Sequence, residues 1–213
     1  MTSPRLVLAS QSPARLATLR SAGVEPEVVV SGVDESVVEA VSPAALATTL
    51  ATLKSRAVHA RLLEDEPDPG RLLVLGCDSV LELDGHIYGK PHDEATARER
   101  WRLMRGRKGV LHSGHCLTVG ADGREVVRAV DTVVHFADVT DAEIDAYVAT
   151  GEPLLVAGAF TLDGLGGAFV TGVEGDPHNV VGLSLPTLRL MLAEVDVAWT
   201  DLWSADPVTG PDA

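Results

Sequence analysis

The 213-residue chain has few aromatic residues: three Phe, three Trp and two Tyr make up 4% of it. Its hydrophobic core must therefore consist mainly of Val, Leu and Ala. Cysteine is also scarce, since Cys77 and Cys116 are the only two. Their number and spacing fit neither a zinc site nor a disulfide framework. The pair predicts free thiols in a reducing compartment, and hence a cytoplasmic location.

The sequence has no long apolar run. A membrane-spanning helix needs roughly 20 apolar residues, and no stretch of this chain approaches that length. The beginning of the chain has a four-residue apolar stretch after Arg5, which is much shorter than the core of a signal peptide. We expect neither a targeting segment nor a membrane partner.

Basic residues are too few to balance the acidic ones, since 17 Lys and Arg face 31 Asp and Glu and the formal net charge is −14. Such a protein repels nucleic acid unless its cations are concentrated in one place. An acidic, solvated surface that favours solubility accounts for this charge without a specific role. We expect no nucleic-acid partner.

The order of helix and strand signals predicts an α/β fold with a mixed sheet. Helices are expected after Ser12, Ser42, Asp93, Thr140 and Ser184, each a residue type that caps helix N-termini. In the second helix, Leu46, Leu50, Leu53 and Ala57 are expected to form the buried face. Strands lie between the helices, with hairpin turns at Asp84–Gly85 and Asp122–Gly123. We expect one domain over residues 1–204 and a disordered tail over residues 205–213.

The stretch "LASQSPARLATLR" (residues 8–20) joins a strand to a helix through a short polar turn. Backbone N–H groups at a helix N-terminus favour an anion. Ser10, Gln11 and Ser12 add further donors, and Arg15 adds a guanidinium. This is one way to build a phosphate site without a glycine-rich loop, although Ser12 can equally act only as the helix cap.

Acidic residues follow two of the expected strands. Asp78 comes directly after the apolar run "LLVLG", where a desolvated carboxylate is costly. Because open α/β sheets bind ligands at the carboxyl ends of strands, Asp78 is a candidate base or metal ligand. A structural Asp that bonds a neighbouring turn is the alternative. Asp34 and Glu35 follow the run "EVVVS", and a turn-capping role accounts almost as well for Asp34.

Three basic residues recur near these positions. Lys54 and Arg56 lie late in the second helix, and Lys90 follows a hairpin in "GKP". Basic residues on an exposed helix are usually only solvated. His112 and His115 in "HSGH" suggest a metal pair but lack a third ligand in sequence, so we interpret them as structural.

Taken in order, "LASQSP", "VDE", a Lys with an Arg two residues later, "GCDSV", "GKP", "AGAFTLDGLGG" and "EGDPHNVVGLSL" resemble the Maf family of nucleotide pyrophosphatases. The resemblance runs from about residue 5 to residue 192. It implies an inosine-triphosphatase-like α/β fold, with an elongated mixed sheet flanked by helices and two lobes around a central cleft. It also implies hydrolysis of a nucleoside triphosphate to the monophosphate and pyrophosphate with a divalent cation, Mg²⁺ or Mn²⁺.

The family takes its name from inhibition of septum formation. The resemblance therefore also allows a nucleotide-binding regulator of cell division that does not depend on turnover. The family often forms dimers, which implies a possible homodimer here. The apolar segment containing Trp199 and Trp203 can cover such an interface or pack on its own core.

The resemblance also implies roles for individual residues. Asp78 matches the family's proton acceptor and Glu35 matches an acidic residue of the active site. Either carboxylate is a candidate metal ligand, and the sequence does not decide whether Asp78 is base or ligand. A triphosphate carries about four negative charges, so an acidic protein needs a local basic cradle to hold it. The expected cradle consists of Ser10, Ser12, Arg15, Lys54, Arg56 and Lys90.

The chain departs from the pattern of the subfamily that acts on UTP and dTTP. Ala14, Ser79 and Asp163 stand where that pattern has Arg, Thr and Gln. The C-terminal motif is closer to that of the subfamily acting on 7-methyl-GTP. Gly109 replaces a histidine of the family, so no role of that histidine carries over. We therefore expect a broad specificity for nucleoside triphosphates, normal or modified, set by positions 14, 79 and 163.

Overall fold

The computed structural model describes residues 4–35, 38, 40–64 and 68–204. Seven strands form one mixed sheet in the order β2-β1-β3-β5-β6-β7, with β4 beside the second half of β3. The strands are β1 (Arg5–Leu8), β2 (Glu27–Val28), β3 (Leu72–Leu83), β4 (His86–Tyr88), β5 (Lys108–Val119), β6 (Arg124–Phe136) and β7 (Val170–Glu174). The helices are α1 (Pro13–Ser21), α2 (Pro43–Leu63), α3 (Glu94–Met104), α4 (Asp141–Ala149), α5 (Pro177–Val181) and α6 (Leu185–Ala193).

The sheet confirms the expected mixed α/β architecture. β1 is parallel to β2 and β3, whereas β3, β5, β6 and β7 are antiparallel to their successive neighbours. One sheet contains all seven described strands. The single domain over residues 1–204 stays a prediction. The expected disordered tail, residues 205–213, lies outside the described residues.

The helix starts follow the capping pattern of the sequence. The side chains of Ser12, Ser42, Asp93, Thr140 and Ser184 each accept a backbone N–H of the first helical turn. The hairpin turn at Asp84–Gly85 is also confirmed, because both residues have positive φ angles, 52° and 77°. That conformation matches the twist of a two-residue hairpin.

Three expectations about the elements are wrong. β3 does not end at Gly76 but continues to Leu83, because β5 pairs with it from Leu73 to Glu82. Asp78 therefore lies inside a strand. β2 has only two residues instead of the run "EVVVS". The short helix α5 and the 3₁₀ turns between residues 152 and 169 carry no strong apolar period, which is why the pattern missed them.

Asp78 lies at an interruption in the pairing of β3. On the edge of β3 opposite β5, β1 pairs with residues 72–75 and β4 pairs with residues 81–83. Residues 76–80 have no strand beside them on that edge within the described chain. The interruption has the same effect as a strand end, because it leaves backbone and side chains of β3 accessible to other groups.

Two of the three hydrophobic clusters of the described residues lie along one face of the sheet, one to each side of this interruption. The first contains Leu75, Cys77 and Leu117 with side chains of α6, and the second contains Leu81 and Leu111 with side chains of α3 and α4. Ser79 and Ser113 pair between them on neighbouring strands. The second cluster departs from the aliphatic core expected from composition, since it holds Trp101, Phe136, Tyr147, Phe160 and Phe169 in edge-to-face contacts.

Helix α2 packs directly onto the other face of the sheet at Gly76 and Gly114. A Cβ atom at Gly76 would lie 2.1 Å from the Ala51 carbonyl oxygen, and one at Gly114 would lie 2.2 Å from the Ala47 carbonyl oxygen. The buried stripe of α2 therefore consists of Ala47, Leu50, Ala51, Lys54, Ser55, Val58 and His59. The expected stripe shares only Leu50 with it, because small residues face the sheet where the backbones meet.

Candidate active site

Lys54 lies between two carboxylates. Its Nζ atom is 2.6 Å from Asp78 Oδ1 and 2.7 Å from Glu35 Oε1. The side chains of Lys54 and Asp78 are each only 10% exposed, whereas that of Glu35 is 48% exposed. A buried ammonium requires such partners. Two carboxylates and one ammonium leave one net negative charge, which favours a further cation.

The packing of α2 places Lys54 in this cluster. Lys54 belongs to the buried stripe of the helix, and the close approaches at Gly76 and Gly114 bring that stripe onto β3 and β5. Asp78 is paired with Gly114 in the β3–β5 register, so its side chain emerges on the face that α2 covers. The absence of side chains at positions 76 and 114 thus lets α2 lie close enough to the sheet for the ammonium to reach the carboxylate.

Arg15 enters the interruption of β3 from α1. Its Nη1 donates to the carbonyl of Cys77 at 2.9 Å and its Nη2 donates to Ser79 Oγ at 3.1 Å, so it bonds the residues on both sides of Asp78. Its Nε donates to the carbonyl of Gly182 at 2.8 Å. Arg15 therefore joins α1, β3 and the loop between α5 and α6.

The polar turn before α1 faces the same guanidinium. Ser10 Oγ accepts from Arg15 Nη1 at 3.2 Å and from the backbone N–H of Ser12 at 3.1 Å. Its hydroxyl proton thus remains free to donate. Ser12 Oγ accepts the N–H of Arg15 at 3.4 Å and caps the helix. The cap is present, and it coexists with a helix N-terminus open to an anion.

Lys90 lies in a turn that is tied to the segment carrying Asp163. The N–H of Gly158 donates to the carbonyl of Gly89, and the N–H of His92 donates to the carbonyl of Leu154. Lys90 and Asp163 are both exposed. Neither makes an ion pair with another side chain among the described residues.

Arg56 is not brought to the cluster. Because residues two apart on a helix are rotated by about 200° around its axis, their side chains point to nearly opposite sides. Arg56 therefore faces away from Lys54. It forms a two-point ion pair with Glu125, with bonds of 2.6 and 2.8 Å. Ala14 contributes only its carbonyl, which accepts the hydroxyl of Thr18.

Behind Arg15 lie polar groups that the sequence does not connect: it indicates Ser79 only for base choice and gives no signal for Ser113 and Asn179. Ser79 Oγ is 2.8 Å from Ser113 Oγ, which in turn donates to the carbonyl of Asn179 at 3.2 Å. Burial lowers the pKa of the nearby His115 to about 4, and the charge of Arg15 acts in the same direction. The neutral ring accepts the backbone N–H of Ser184 at Nε2. These residues give no periodic signal because they come from three separate elements.

His112 and His115 do not form a metal pair. His112 lies between Glu82 and Asp131, with ring nitrogens 2.9 and 2.7 Å from their carboxylates, whereas His115 is buried on the opposite face. Within the part of the chain that is described, no group of three or more His, Cys, Asp and Glu can hold a metal ion. Cys77 and Cys116 are free, as expected, and both are buried.

Glu152 holds the segment that carries Asp163. Its carboxylate accepts the hydroxyls of Tyr147 and Thr161 and the backbone N–H groups of Leu165 and Gly166. Burial by itself raises the pKa of Glu152, but these hydrogen bonds outweigh it and the net shift is downward. The ionised form therefore stabilises the fold. This contribution is present above the carboxyl's unfolded pKa and is lost as pH falls through the lower, folded pKa.

We expect Glu152→Gln to lower the free energy of unfolding by about 2 kcal/mol at pH 7, because an amide nitrogen cannot accept these hydrogen bonds. The deficit relative to the wild type should shrink as pH falls through the lowered pKa of Glu152, where the wild-type carboxylate also becomes protonated. Urea unfolding at several pH values measures it. A deficit that stays constant over the whole acid range in which both proteins still fold would show that ionisation of Glu152 is not involved.

The described helices include none that is long and apolar enough to cross a membrane. Among solved structures, the Ham1 protein of Staphylococcus aureus matches with a TM-score of 0.43 and 18% identity, over 63% of this chain and 72% of that one.

Comparison with known sequences gives much closer matches. A nucleoside triphosphate pyrophosphatase of Salinispora tropica is 59% identical over 97% of this chain and 91% of its own length. Proteins of the same name from Cutibacterium acnes and Streptomyces coelicolor are 57% and 56% identical, over 93% and 94% of this chain and 94% and 95% of their own lengths. The model of the family described as Maf-like protein matches residues 5–195. The chain belongs to the Maf-like family.

Proposed function

We propose that this protein is a nucleoside triphosphate pyrophosphatase, a hydrolase that cuts a nucleoside triphosphate into the monophosphate and pyrophosphate. The observation that carries this proposal is the contact of Lys54 with both Asp78 and Glu35. We assign the phosphates to the nearby N-terminus of α1. The names of the relatives that match over nearly the whole chain support it. The role is the removal of unwanted or modified nucleotides.

Asp78 acts as the proton acceptor for the attacking water. The reaction requires a base near the α-phosphorus, and Asp78 is a carboxylate at the accessible edge of β3. Lys54 holds one of its oxygens, Oδ1, at 2.6 Å. This contact fixes the side chain and leaves Oδ2 to receive the proton.

Glu35 and Asp78 are the residues that would hold a divalent cation. Both supply carboxylate oxygens, which Mg²⁺ and Mn²⁺ prefer, and the cluster with Lys54 carries a net negative charge. Mg²⁺ is commonly held by one or two carboxylates together with substrate phosphates. When bound, such an ion neutralises charge that develops on the transferring and leaving oxygens.

The phosphates lie on the start of α1. Ser10 donates its free hydroxyl proton, Ala14 provides the one backbone N–H of the first turn that has no acceptor among the described residues, and Arg15 has one guanidinium N–H left. Lys90 approaches from its turn on the other side of the interruption. Arg56, which the sequence places in the same cradle, is committed to Glu125 and is omitted from this proposal.

Release of pyrophosphate from purified protein tests the proposal. We expect turnover of several normal and modified nucleoside triphosphates in the presence of Mg²⁺ or Mn²⁺. Binding without release of pyrophosphate would contradict the proposal and favour a regulator.

A cytoplasmic location and a homodimer are also part of the proposal. Of the two tryptophans that could cover a dimer interface, Trp199 packs on the chain's own first hydrophobic cluster, whereas Trp203 is 55% exposed.

Base choice depends on Asp163 in this proposal. An ionised Asp163 only accepts hydrogen bonds, so it favours a base with N–H donors, such as guanine, over the carbonyl groups of uracil. We expect Asp163→Gln to raise kcat/KM for UTP and dTTP relative to GTP by about tenfold. Competition assays with paired nucleotides measure this ratio. An unchanged ratio would show that Asp163 does not face the base.

A further inference from the structure

We infer that Ser113 is a positioning residue that fixes, through Ser79, the direction in which Arg15 presents its remaining N–H to a phosphate. This inference rests on the proposed function for its role in catalysis. The contact chain itself is independent of any ligand. It runs from Arg15 Nη2 to Ser79 Oγ (3.1 Å), Ser113 Oγ (2.8 Å) and the carbonyl of Asn179 (3.2 Å).

The number of protons fixes the direction of each bond. A carbonyl oxygen cannot donate, so Ser113 gives its single hydroxyl proton to Asn179. Ser113 must then accept from Ser79, which spends its own single proton in that bond. Ser79 is left with lone pairs towards Arg15 and accepts from Nη2. A guanidinium is never an acceptor, so the whole chain donates in one direction.

The same count shows what Arg15 has left for a ligand. Of its five N–H groups, Nε donates to Gly182, and the two on Nη1 donate to Ser10 and Cys77. One N–H of Nη2 donates to Ser79, and no acceptor among the described residues takes the other. Because the guanidinium is planar, the bond to Ser79 fixes, together with the bonds from Nε and Nη1, where this fifth N–H points.

Ser113 can influence a ligand only through this chain. It is fully buried, with no exposed surface, and it lies between the two hydrophobic clusters. The family pattern places Ser79 among the residues that determine base specificity. Its hydroxyl proton, however, is donated to Ser113. Variants at positions 79 and 113 should therefore weaken the binding of all triphosphates equally, because Arg15 contacts a phosphate and not the base.

The first arm of the test uses ligand-free protein and does not depend on catalysis. Hydrogen exchange of the Arg15 guanidinium protons, followed by ¹⁵N NMR, should be about threefold faster or more in Ser113→Ala, since the acceptor Ser79 is no longer oriented. Ser55→Ala is the matched control. Ser55 is another fully buried serine, bonded to Thr118 Oγ1 and the Val74 carbonyl on the opposite face of the sheet. Exchange in Ser113→Ala equal to that in Ser55→Ala would overturn the inference.

The second arm measures pyrophosphate release from four nucleoside triphosphates. Ser113→Ala should raise KM by about three- to tenfold for all four, with kcat within about twofold of the wild type. Ser79→Ala should do the same, and the double variant should be no worse than Ser79→Ala, because both remove one chain. Ser55→Ala should lower the melting temperature comparably but leave KM unchanged. A changed preference among the bases, or additive effects, would overturn the inference.

The two arms separate failure of this inference from failure of the proposed function. Faster exchange in Ser113→Ala, together with no pyrophosphate release by the wild type, would retain the contact chain and reject the enzyme. Unchanged exchange with an active wild type would retain the enzyme and reject Ser113 as a positioning residue.

Discussion

Asp78→Asn is expected to lower kcat for pyrophosphate release by about 10²- to 10⁴-fold, because an amide keeps the shape of the carboxylate but cannot accept the proton of water. The fold should persist, since Lys54 keeps its contact with Glu35 at 2.7 Å. Nucleotide binding should change much less than turnover. Pyrophosphate assays at saturating substrate and calorimetric binding give the two quantities separately.

Asp131→Asn is a suitable control for this experiment. Asp131 is a carboxylate on the same face of the sheet, but its partner is His112 and it lies outside the proposed site. We expect wild-type kcat for this variant. An Asp78→Asn variant that turned over like Asp131→Asn would remove Asp78 from the mechanism.

Gly114→Ala is expected to destabilise the fold by about 3 kcal/mol or more, because the new methyl group would meet the helix backbone and not a movable side chain. The added Cβ would lie 2.2 Å from the Ala47 carbonyl oxygen and 2.4 Å from the Thr48 nitrogen. For a chain of this size, that corresponds to a fall in melting temperature of about 6 to 12 °C. Because α2 must move outward, Lys54 should also separate from Asp78 and kcat should fall.

Gly172→Ala provides the comparison within the same sheet. Gly172 lies in β7, and a Cβ there would meet only His135 at an ordinary contact distance of 3.8 Å. Thermal unfolding and pyrophosphate assays of both variants measure the effect. If Gly114→Ala melted within about 1 °C of Gly172→Ala, α2 would not depend on the missing side chain.

Local signals predicted the parts of this fold that depend on neighbouring residues. The caps at Ser12, Ser42 and Asp93 are hydrogen bonds formed within one turn of the helix. The left-handed turn at Asp84–Gly85 depends on only two residues. Sequence reasoning also singled out Glu35, Lys54 and Asp78 as separate candidates, and the structure brings all three into contact. Their roles in catalysis remain predictions.

Long-range packing accounts for the parts that the sequence pattern missed. The buried face of α2 is set by Gly76 and Gly114, which lie on other elements and let the helix backbone approach the sheet at Ala47 and Ala51. The spacing of apolar residues along a helix carries no information about glycines on the sheet against which the helix packs. From its position on the helix alone, Lys54 would likewise be interpreted as a solvated lysine.

The connection between the polar residues behind Arg15 was missed for a related reason. Ser79, Ser113 and Asn179 come from β3, β5 and α5, and each is unremarkable in its own segment. Only the register of β3 against β5 brings the first two together. Asp78 was expected at a strand end, and the interruption between β1 and β4 gives a similar opening within a continuous strand.

Hydrolysis in ¹⁸O-labelled water tests the central claim most directly. Attack of water at the α-phosphorus, with Asp78 as proton acceptor, predicts a nucleoside monophosphate that carries the label and a pyrophosphate that does not. Mass spectrometry of both products reads the result from a single reaction. Label in the pyrophosphate, or formation of nucleoside diphosphate and phosphate, would contradict the account.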